Sequence, residues 1–248
     1  MRKPVYQFLC LCLLCSFTGC ATAPAPVKQS AEASFREGEQ LYAAKHYQDA
    51  IAEWKKVKES YYSPELTTLA ELKIADAQFD DEKYIEAGAA YEDFRKLHPT
   101  HEKAAYALYR LGLCNFKQIT GIDTDQTAVK NAATYFESLL KQYPASEFAA
   151  DARDKLEICQ TKMVQYENYI GRFYLRTDKY SSAIKRLQEA LDRSPKTPAR
   201  DETLLYLGEA YFLAGDKAKG KEIFDRLARE FPASPHLAEV SKFMKKHK

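Results

Sequence analysis

The chain has 248 residues, of which 46% are hydrophobic, with 9 Gly, 10 Pro and 6 Cys, and its 37 Lys and Arg residues nearly balance its 35 Asp and Glu residues. This composition excludes a collagenous or low-complexity chain and an intrinsically disordered one, and the charge balance gives no sign of nucleic-acid binding. No apolar run reaches the roughly 18 residues that a membrane-spanning helix needs.

The N-terminus has the pattern of a secretory signal followed by a lipidation site. Arg2 and Lys3 precede an apolar run, Phe8–Phe17, that is too short to span a membrane. The run leads into Phe-Thr-Gly-Cys, ending at Cys20, which resembles a bacterial lipoprotein box, although Leu is more usual than Phe at its first position. We expect residues 1–19 to be removed and Cys20 to be acylated, since several acyl chains hold a protein stably on a membrane. An ordinary signal peptide with an incidental Cys is the alternative.

The segment after the lipidation site predicts a tether. Residue 21, directly after Cys20, is Ala rather than Asp, which resembles the pattern of lipoproteins that are sent to the outer membrane in Gram-negative bacteria. Residues 20–30 are Pro-rich and lack helical periodicity, so we predict a flexible linker there. The expected location is the periplasmic face of the outer membrane, with a lipid anchor.

A periodic pattern of small residues organises the rest of the chain. Gly or Ala recurs every 37 residues, apart from one longer interval, and a second small residue follows each of them. A large side chain comes four residues after the second small residue. The first small residues are Gly38, Ala75, Gly112, Gly171 and Gly208, the second are Ala50, Ala87, Ala132, Ala183 and Gly220, and the large residues are Trp54, Tyr91, Phe136, Leu187 and Phe224.

This spacing has a physical explanation in paired helices. Two antiparallel helices approach closely only where their side chains are small, and the large residue one turn later fills the adjacent gap. Pro, which lacks an amide hydrogen, ends the second helix at Pro99, Pro144, Pro195 and Pro232, whereas the first repeat has Tyr62 in that position. Each hairpin leaves an apolar face uncovered, so neighbouring hairpins must stack. The pattern resembles tetratricopeptide repeats.

We therefore predict an all-α fold, a superhelical array of five tetratricopeptide-like helix hairpins with a C-terminal capping helix. Repeats 1–3 occupy residues 31–146, a long connecting helix and repeats 4–5 occupy residues 147–233, and the cap occupies residues 234–248. The extra residues between Pro144 and Gly171 carry a helical apolar stripe, which indicates that one long helix divides the array. A nonrepetitive helical bundle is the alternative.

The sequence carries no arrangement of residues that indicates catalysis, a cofactor or a metal site. Residues 215–222 nearly match the sequence pattern of a phosphate-binding loop, but they end in Glu rather than Ser or Thr. His98 and His101 could ligate a metal, but no third ligand lies near them in the sequence. We therefore predict that the protein is not an enzyme. Cys114 and Cys159 lie among apolar neighbours and are expected to be buried free thiols, although a disulfide is an open alternative in an oxidising compartment.

The first helix of each hairpin usually lines the inner groove of such an array. Positions three before and four after each first small residue should point into it. In repeats 1–3 these positions are mostly aromatic, and aromatic side chains anchor peptides at little entropic cost, so an extended or helical peptide is the predicted ligand. The predicted groove residues are Phe35, Tyr42, Phe79, Tyr106, Tyr109 and Phe116. The alternative is that many of them are inter-helix core.

The corresponding surface of repeats 4 and 5 is more polar. Arg172, Glu202 and Glu209 alternate there with apolar positions. A folded partner domain is therefore the predicted ligand of this half of the array.

Together these features resemble the BamD family, the lipoprotein subunit of the outer-membrane β-barrel assembly machinery. The resemblance is carried by the lipidated start, the interrupted order of five repeats, the Pro99-Thr-His turn, the Asp123-Thr-Asp-Gln loop and the segment from Tyr143 to Arg153. It implies a scaffold without enzymatic activity that works beside other assembly-machine lipoproteins. Its N-terminal repeats would receive unfolded outer-membrane proteins through aromatic-ended segments, and its C-terminal repeats would dock the barrel insertase BamA. Arg186 matches a basic position of the family's fourth repeat, which implies a part in that docking.

Other periplasmic scaffolds are alternatives. The segments Leu204–Tyr211 and Phe231–Ser234 also resemble the repeats of a Tol-Pal-associated coordinator, and pilus or polysaccharide export lipoproteins are further candidates. Acylation at Cys20 argues against the coordinator, which is a soluble protein. A hydrolase is a third alternative, and the lack of an acid–base pair argues against it.

Overall fold

The computed structural model describes residues 27–193 and 197–247, and within these ranges the chain forms eleven α-helices. The predicted signal peptide, Cys20 and most of the predicted linker lie outside the described residues. The helices are α1 (Val27–Ala43), α2 (Tyr47–Glu59), α3 (Pro64–Asp80), α4 (Tyr84–Leu97), α5 (Ala104–Lys117), α6 (Thr127–Gln142), α7 (Ala149–Arg176), α8 (Tyr180–Arg193), α9 (Arg200–Leu213), α10 (Lys217–Glu230) and α11 (His236–Lys246).

The helices pair into five antiparallel hairpins followed by one further helix. Each odd-numbered helix up to α9 packs against the even-numbered helix that follows it, and each hairpin packs against the next. The predicted all-α array of five tetratricopeptide-like hairpins with a C-terminal cap, α11, is therefore confirmed. We call α1, α3, α5, α7 and α9 the A helices and α2, α4, α6, α8 and α10 the B helices.

Four of the five turns inside the hairpins use a residue in the left-handed backbone region. These residues are Lys45, Glu82, Asp178 and Gly215, with φ angles of 63°, 60°, 57° and 97°. A left-handed residue ends an α-helix by redirecting the backbone, and Gly occupies that position at the lowest cost. The third hairpin instead contains an inserted loop, residues 118–126, between α5 and α6.

Close packing within the hairpins depends on the small residues of the repeat. A Cβ atom added at Gly112 would lie 2.7 Å from Cε1 of Phe136, and one added at Gly171 would lie 2.6 Å from Cδ2 of Leu187. The large side chain of the B helix therefore stands directly against the A-helix glycine, in the space that a Cβ atom would fill. The pairs Gly38 with Trp54 and Gly208 with Phe224 repeat this arrangement.

The 28-residue helix α7 joins the third hairpin to the fourth. Its first half packs Ala152 and Cys159 into the core that surrounds Phe136, and its second half carries Gly171 and packs against α8 and α9. One continuous helix is therefore both the connecting helix and the A helix of the fourth hairpin.

Cys114 and Cys159 are free, buried thiols in different parts of the core. Cys114 packs with Tyr91 and Phe94, whereas Cys159 packs with Phe136. The disulfide alternative is therefore wrong, because each thiol lies within its own cluster of apolar side chains.

The two ends of the described chain differ in how well they match the expected boundaries. Helix α1 begins at Val27, so the prediction that residues 27–30 belong to the flexible linker is wrong. The sequence has no Pro or Gly between Pro26 and Gly38, and nothing there interrupts the helix. At the other end, α11 covers α9 and α10 with half-buried Leu237, Val240 and Phe243.

Among the described helices, none combines the length and apolar character that crossing a membrane requires.

Candidate binding surfaces on the A helices

A cluster of charged and aromatic side chains connects α3, α4 and α5. Asp76 and Asp80 lie one turn apart on α3, and Nη2 of Arg110 lies 3.8 and 3.4 Å from an Oδ1 atom of each. The hydroxyl of Tyr106 donates to Asp76 Oδ1 at 2.7 Å, and the hydroxyl of Tyr91 donates to the same oxygen. Arg110 Nε donates to the Tyr91 hydroxyl oxygen at 2.9 Å. We call these five residues the acid–arginine cluster.

Burial makes the acid–arginine cluster sensitive to the loss of Asp76, the partner that Arg110, Tyr91 and Tyr106 share. The ring of Phe79 lies beneath Arg110, with 3.9 Å between the guanidinium carbon and the ring centroid. Burial raises the pKa of Asp76 above its usual value, although the two tyrosine hydrogen bonds and the charge of Arg110 oppose the rise. A buried charge that loses its partner is strongly destabilising. The cluster therefore holds three neighbouring helices in a defined arrangement.

Three of the six predicted groove residues lie at the acid–arginine cluster. Tyr106 belongs to it, Phe79 stacks on its arginine, and Tyr42 of α1 donates its hydroxyl to Asp80. The cluster therefore extends to the first A helix. Phe35 is separate, since it packs on Trp54 inside the first hairpin with 6.5 Å between the ring centroids.

The other two predicted groove residues pack against α7 or its N-terminal end. Tyr109 donates its hydroxyl to Asp151 and stacks on Phe148, with ring centroids 4.9 Å apart and 14° between the planes. Phe116 lies 5.7 Å from Lys155 Nζ, measured to the ring centroid. All six predicted groove residues are half-buried, so each ring presents only part of its surface to a ligand.

In the C-terminal half, Arg172, Glu202 and Glu209 lie around the contact between α7 and α9. Glu202 accepts a hydrogen bond from Asn168 Nδ2 at 3.0 Å and another from the Tyr206 hydroxyl at 3.1 Å. Burial, followed by the negative charge of Glu239 on α11, raises the pKa of Glu209 to about 7, while Arg172 and Lys246 oppose the rise. These charges therefore interact across three helices.

Arg186 lies apart from the other three predicted docking residues. Its Nη1 atom is 2.9 Å from Glu167 Oε2, and this ion pair joins α8 to α7. Glu167 and Arg172 are about 140° apart around α7, since each residue advances a helix by about 100°. The Arg186 side chain is 41% exposed, so its guanidinium is partly available to a partner.

Sequence reasoning missed Asp76, Asp80 and Arg110, which organise the N-terminal surface. One signal was available, because the two acidic residues are spaced i, i+4 on a predicted A helix beside the small residue Ala75. The partnership with Arg110 joins residues about 30 positions apart and has no local signal.

The described residues include neither a reactive thiol nor a cluster of metal ligands. Burial raises the pKa of the Cys114 thiol to about 12 and that of Cys159 to about 11, so neither forms a thiolate readily. Across the described residues, no group of three or more His, Cys, Asp or Glu side chains is placed to hold a metal ion.

The fold defines a class of protein, the tetratricopeptide-like helical arrays built from stacked hairpins. Residues 27–227 match the YfiO family, described as an outer membrane lipoprotein, and the chain belongs to this family.

Its relatives include the outer membrane protein assembly factor BamD of Caulobacter vibrioides, which is 26% identical over 235 residues, covering 93% of this chain and 77% of the relative. BamD of Rickettsia prowazekii is 28% identical over 213 residues, covering 86% of this chain and 85% of the relative. Among solved structures, the TPR2AB domain of yeast Sti1 in complex with pHSP90 is 15% identical with a TM-score of 0.43, covering 89% of this chain and 99% of that one.

Proposed function

We propose that this chain is an assembly factor for outer membrane proteins, a scaffold without enzymatic activity or cofactor that is held at the periplasmic face of the outer membrane by acylated Cys20. The observation that carries the proposal is family membership across residues 27–227, together with relatives named as outer membrane protein assembly factors. The A helices support a scaffold role, because their side chains form contacts between hairpins and leave partly exposed rings and charges on the surface.

Affinity purification from detergent-extracted membranes tests this role. We expect a large barrel insertase of the BamA type and other assembly-machine lipoproteins to co-purify with the chain. Recovery of Tol-Pal or pilus components alone would contradict the proposal and favour another periplasmic scaffold. Replacing Cys20 by Ala should release the protein from the membrane fraction if the anchor is correct.

The N-terminal repeats are the proposed receptor for unfolded outer-membrane proteins. Phe79 and Tyr42 are half-buried beside the acid–arginine cluster, so their outer edges offer apolar contact next to fixed charges. Such partly preorganised aromatic residues are typical anchors of binding energy. A segment that ends in an aromatic residue could place its ring against these edges while its backbone amides meet the carboxylates.

Binding of a synthetic peptide that copies the aromatic end of a barrel strand tests this surface. The substitution Phe79→Ala should weaken binding about tenfold, which corresponds to roughly 1.4 kcal/mol. Ile85→Ala is the matched control, because Ile85 is 74% exposed on the B helix of the same hairpin. Equal affinity of both variants for the peptide would remove Phe79 from the binding surface.

The C-terminal repeats are the proposed docking site of the insertase, through Arg186, Arg172, Glu202 and Glu209. Arg186 is the most direct test, since its guanidinium is partly exposed and its ion pair with Glu167 leaves donors free for a partner carboxylate. The substitution Arg186→Glu should reduce co-purification of the insertase. Lys185→Glu is the control, because it makes the same charge change at the neighbouring exposed position. Unchanged recovery with Arg186→Glu would exclude this residue from docking.

A further inference from the structure

Three exposed apolar side chains lie at the edge of the array where consecutive hairpins meet. Because the helices alternate in direction, the N-termini of A helices and the C-termini of B helices lie at the same edge, which we call the inter-repeat edge. In the first two hairpins this edge carries Val27, Tyr61 and Leu97, which are 58%, 90% and 66% exposed. Neither surface of the proposed function uses these residues.

Tyr61 occupies its position at a cost to the fold. It has a φ of 50° in the turn between α2 and α3, where an L-residue in the left-handed region costs about 1–2 kcal/mol. The other described residues with positive φ are hydrophilic or Gly and lie in turns inside hairpins. Tyr61 is the aromatic exception, it lies between hairpins, and its ring is 90% exposed. Strain of this kind persists only where the surrounding structure imposes it, and it clusters at functional sites.

The start of the described chain brings this edge close to the expected membrane tether. Helix α1 begins at Val27, seven residues after Cys20, and seven residues span at most about 25 Å. Helix α2 runs antiparallel to α1, so its C-terminal end and Tyr61 return to the level at which α1 starts. A lipid on Cys20 would therefore keep the start of α1, and with it the inter-repeat edge of the first hairpin, within about 25 Å of the bilayer surface.

We propose that the inter-repeat edge of the first two hairpins contacts the outer-membrane lipid surface, with Tyr61 as an interfacial anchor flanked by Leu97 and Val27. This inference rests on the lipid anchor of the proposed function and adds the side of the array that faces the membrane. Tyrosine is suited to this position, because its ring is apolar and its hydroxyl stays among the polar headgroups.

Charge permits this contact but does not drive it. Lys56 and Lys96 have side chains that are 61% and 66% exposed near the same edge and can reach headgroup phosphates. Glu59 and Glu65 are also exposed there, so the edge is not strongly basic. The apolar side chains and the short tether carry the argument.

Fluorescence quenching in vesicles tests the proposed contact. The mature, lipidated full chain is reconstituted in vesicles of phosphatidylethanolamine and phosphatidylglycerol, with and without brominated acyl chains. The single native Trp, Trp54, is completely buried and provides a constant background. Tyr61→Trp and Leu97→Trp each place a new fluorophore on the inter-repeat edge. Ile85→Trp is the control, since it places one on the opposite edge of the second hairpin, at a residue 74% exposed.

We expect the added emission of Tyr61→Trp and Leu97→Trp to be lost in brominated vesicles and that of Ile85→Trp to be retained. Circular dichroism identifies any variant that fails to fold, and the two edge variants serve as independent probes. Co-flotation with vesicles but no quenching at either edge position would overturn the inference and leave the lipid anchor intact. Equal quenching at Ile85→Trp would also overturn it. Failure to float would contradict the anchor itself, and the inference with it.

Discussion

The contact between an A-helix glycine and a B-helix ring should control the stability of the array, and Gly112→Ala measures it. The added Cβ atom would lie 2.7 Å from Phe136 Cε1 and 2.9 Å from Cδ1. The ring cannot turn aside freely, because Phe136 is completely buried and contacts Tyr109 and Phe116 at centroid distances of 6.4 and 6.2 Å. Overpacking of this kind costs about 1–3 kcal/mol.

Helix propensity acts in the opposite direction, which makes a matched control necessary. Replacing Gly by Ala inside a helix stabilises it by roughly 0.5–1 kcal/mol. Gly88 lies inside α4, and a Cβ atom there would find its nearest neighbours at 3.6 and 3.7 Å, in ordinary contact. Gly88→Ala should therefore raise the free energy of unfolding by roughly 0.5–1 kcal/mol, whereas Gly112→Ala should lower it by about 1–2 kcal/mol.

Urea denaturation followed by circular dichroism distinguishes the two cases. The midpoint should fall for Gly112→Ala and rise for Gly88→Ala, each with an unchanged dependence on urea concentration. If both substitutions raise the midpoint, the close approach of helix and ring does not determine stability, and the spacing of small and large residues has another cause.

Three further predictions follow from the buried charges and thiols. Asp76→Ala should lower the free energy of unfolding by about 3 kcal/mol because it leaves a partly buried arginine short of a partner, whereas Asp80→Ala at an exposed pair should cost at most about 1 kcal/mol; equal urea midpoints would contradict this. The pKa of Glu209 is raised to about 7 from 4.5, so its stabilising contribution is complete below about pH 4.5 and is lost as the pH rises through 7. Midpoints measured from pH 5 to pH 8 should therefore fall less for Glu209→Gln than for the wild type. Cys114 and Cys159 should resist a thiol reagent in the native protein and react in urea, and rapid labelling without denaturant would show that the core opens.

The repeat could be predicted from the sequence because its cause is local and recurrent. Gly171 and Leu187 are separated by the same interval as Gly112 and Phe136, apart from the inserted loop, and each pair meets at the same kind of helix crossing. The boundary of α1 was harder to predict, since residues 27–30 have neither strong periodicity nor a helix breaker.

The binding surfaces depended on contacts that no spacing encodes. The aromatic residues predicted to line the groove are half-buried, and the tyrosine hydroxyls among them are hydrogen-bonded to aspartates of other helices. Arg172 and Arg186 are both basic residues of the fourth hairpin, yet they lie on different sides of α7 and have different partners. Only the packing of successive hairpins decides which charges meet.

The sequence by itself determined the helical class, the number of hairpins and the sites of closest approach, because small and large side chains recur at intervals that one helix pair must satisfy. The tertiary structure decided which side chains share a surface. Asp80, Arg110 and Tyr42 come from three different A helices, and their contacts follow from how one rigid hairpin lies on the next. That geometry comes from the summed packing of many buried side chains, so the partnerships between these residues carry no local sequence signal.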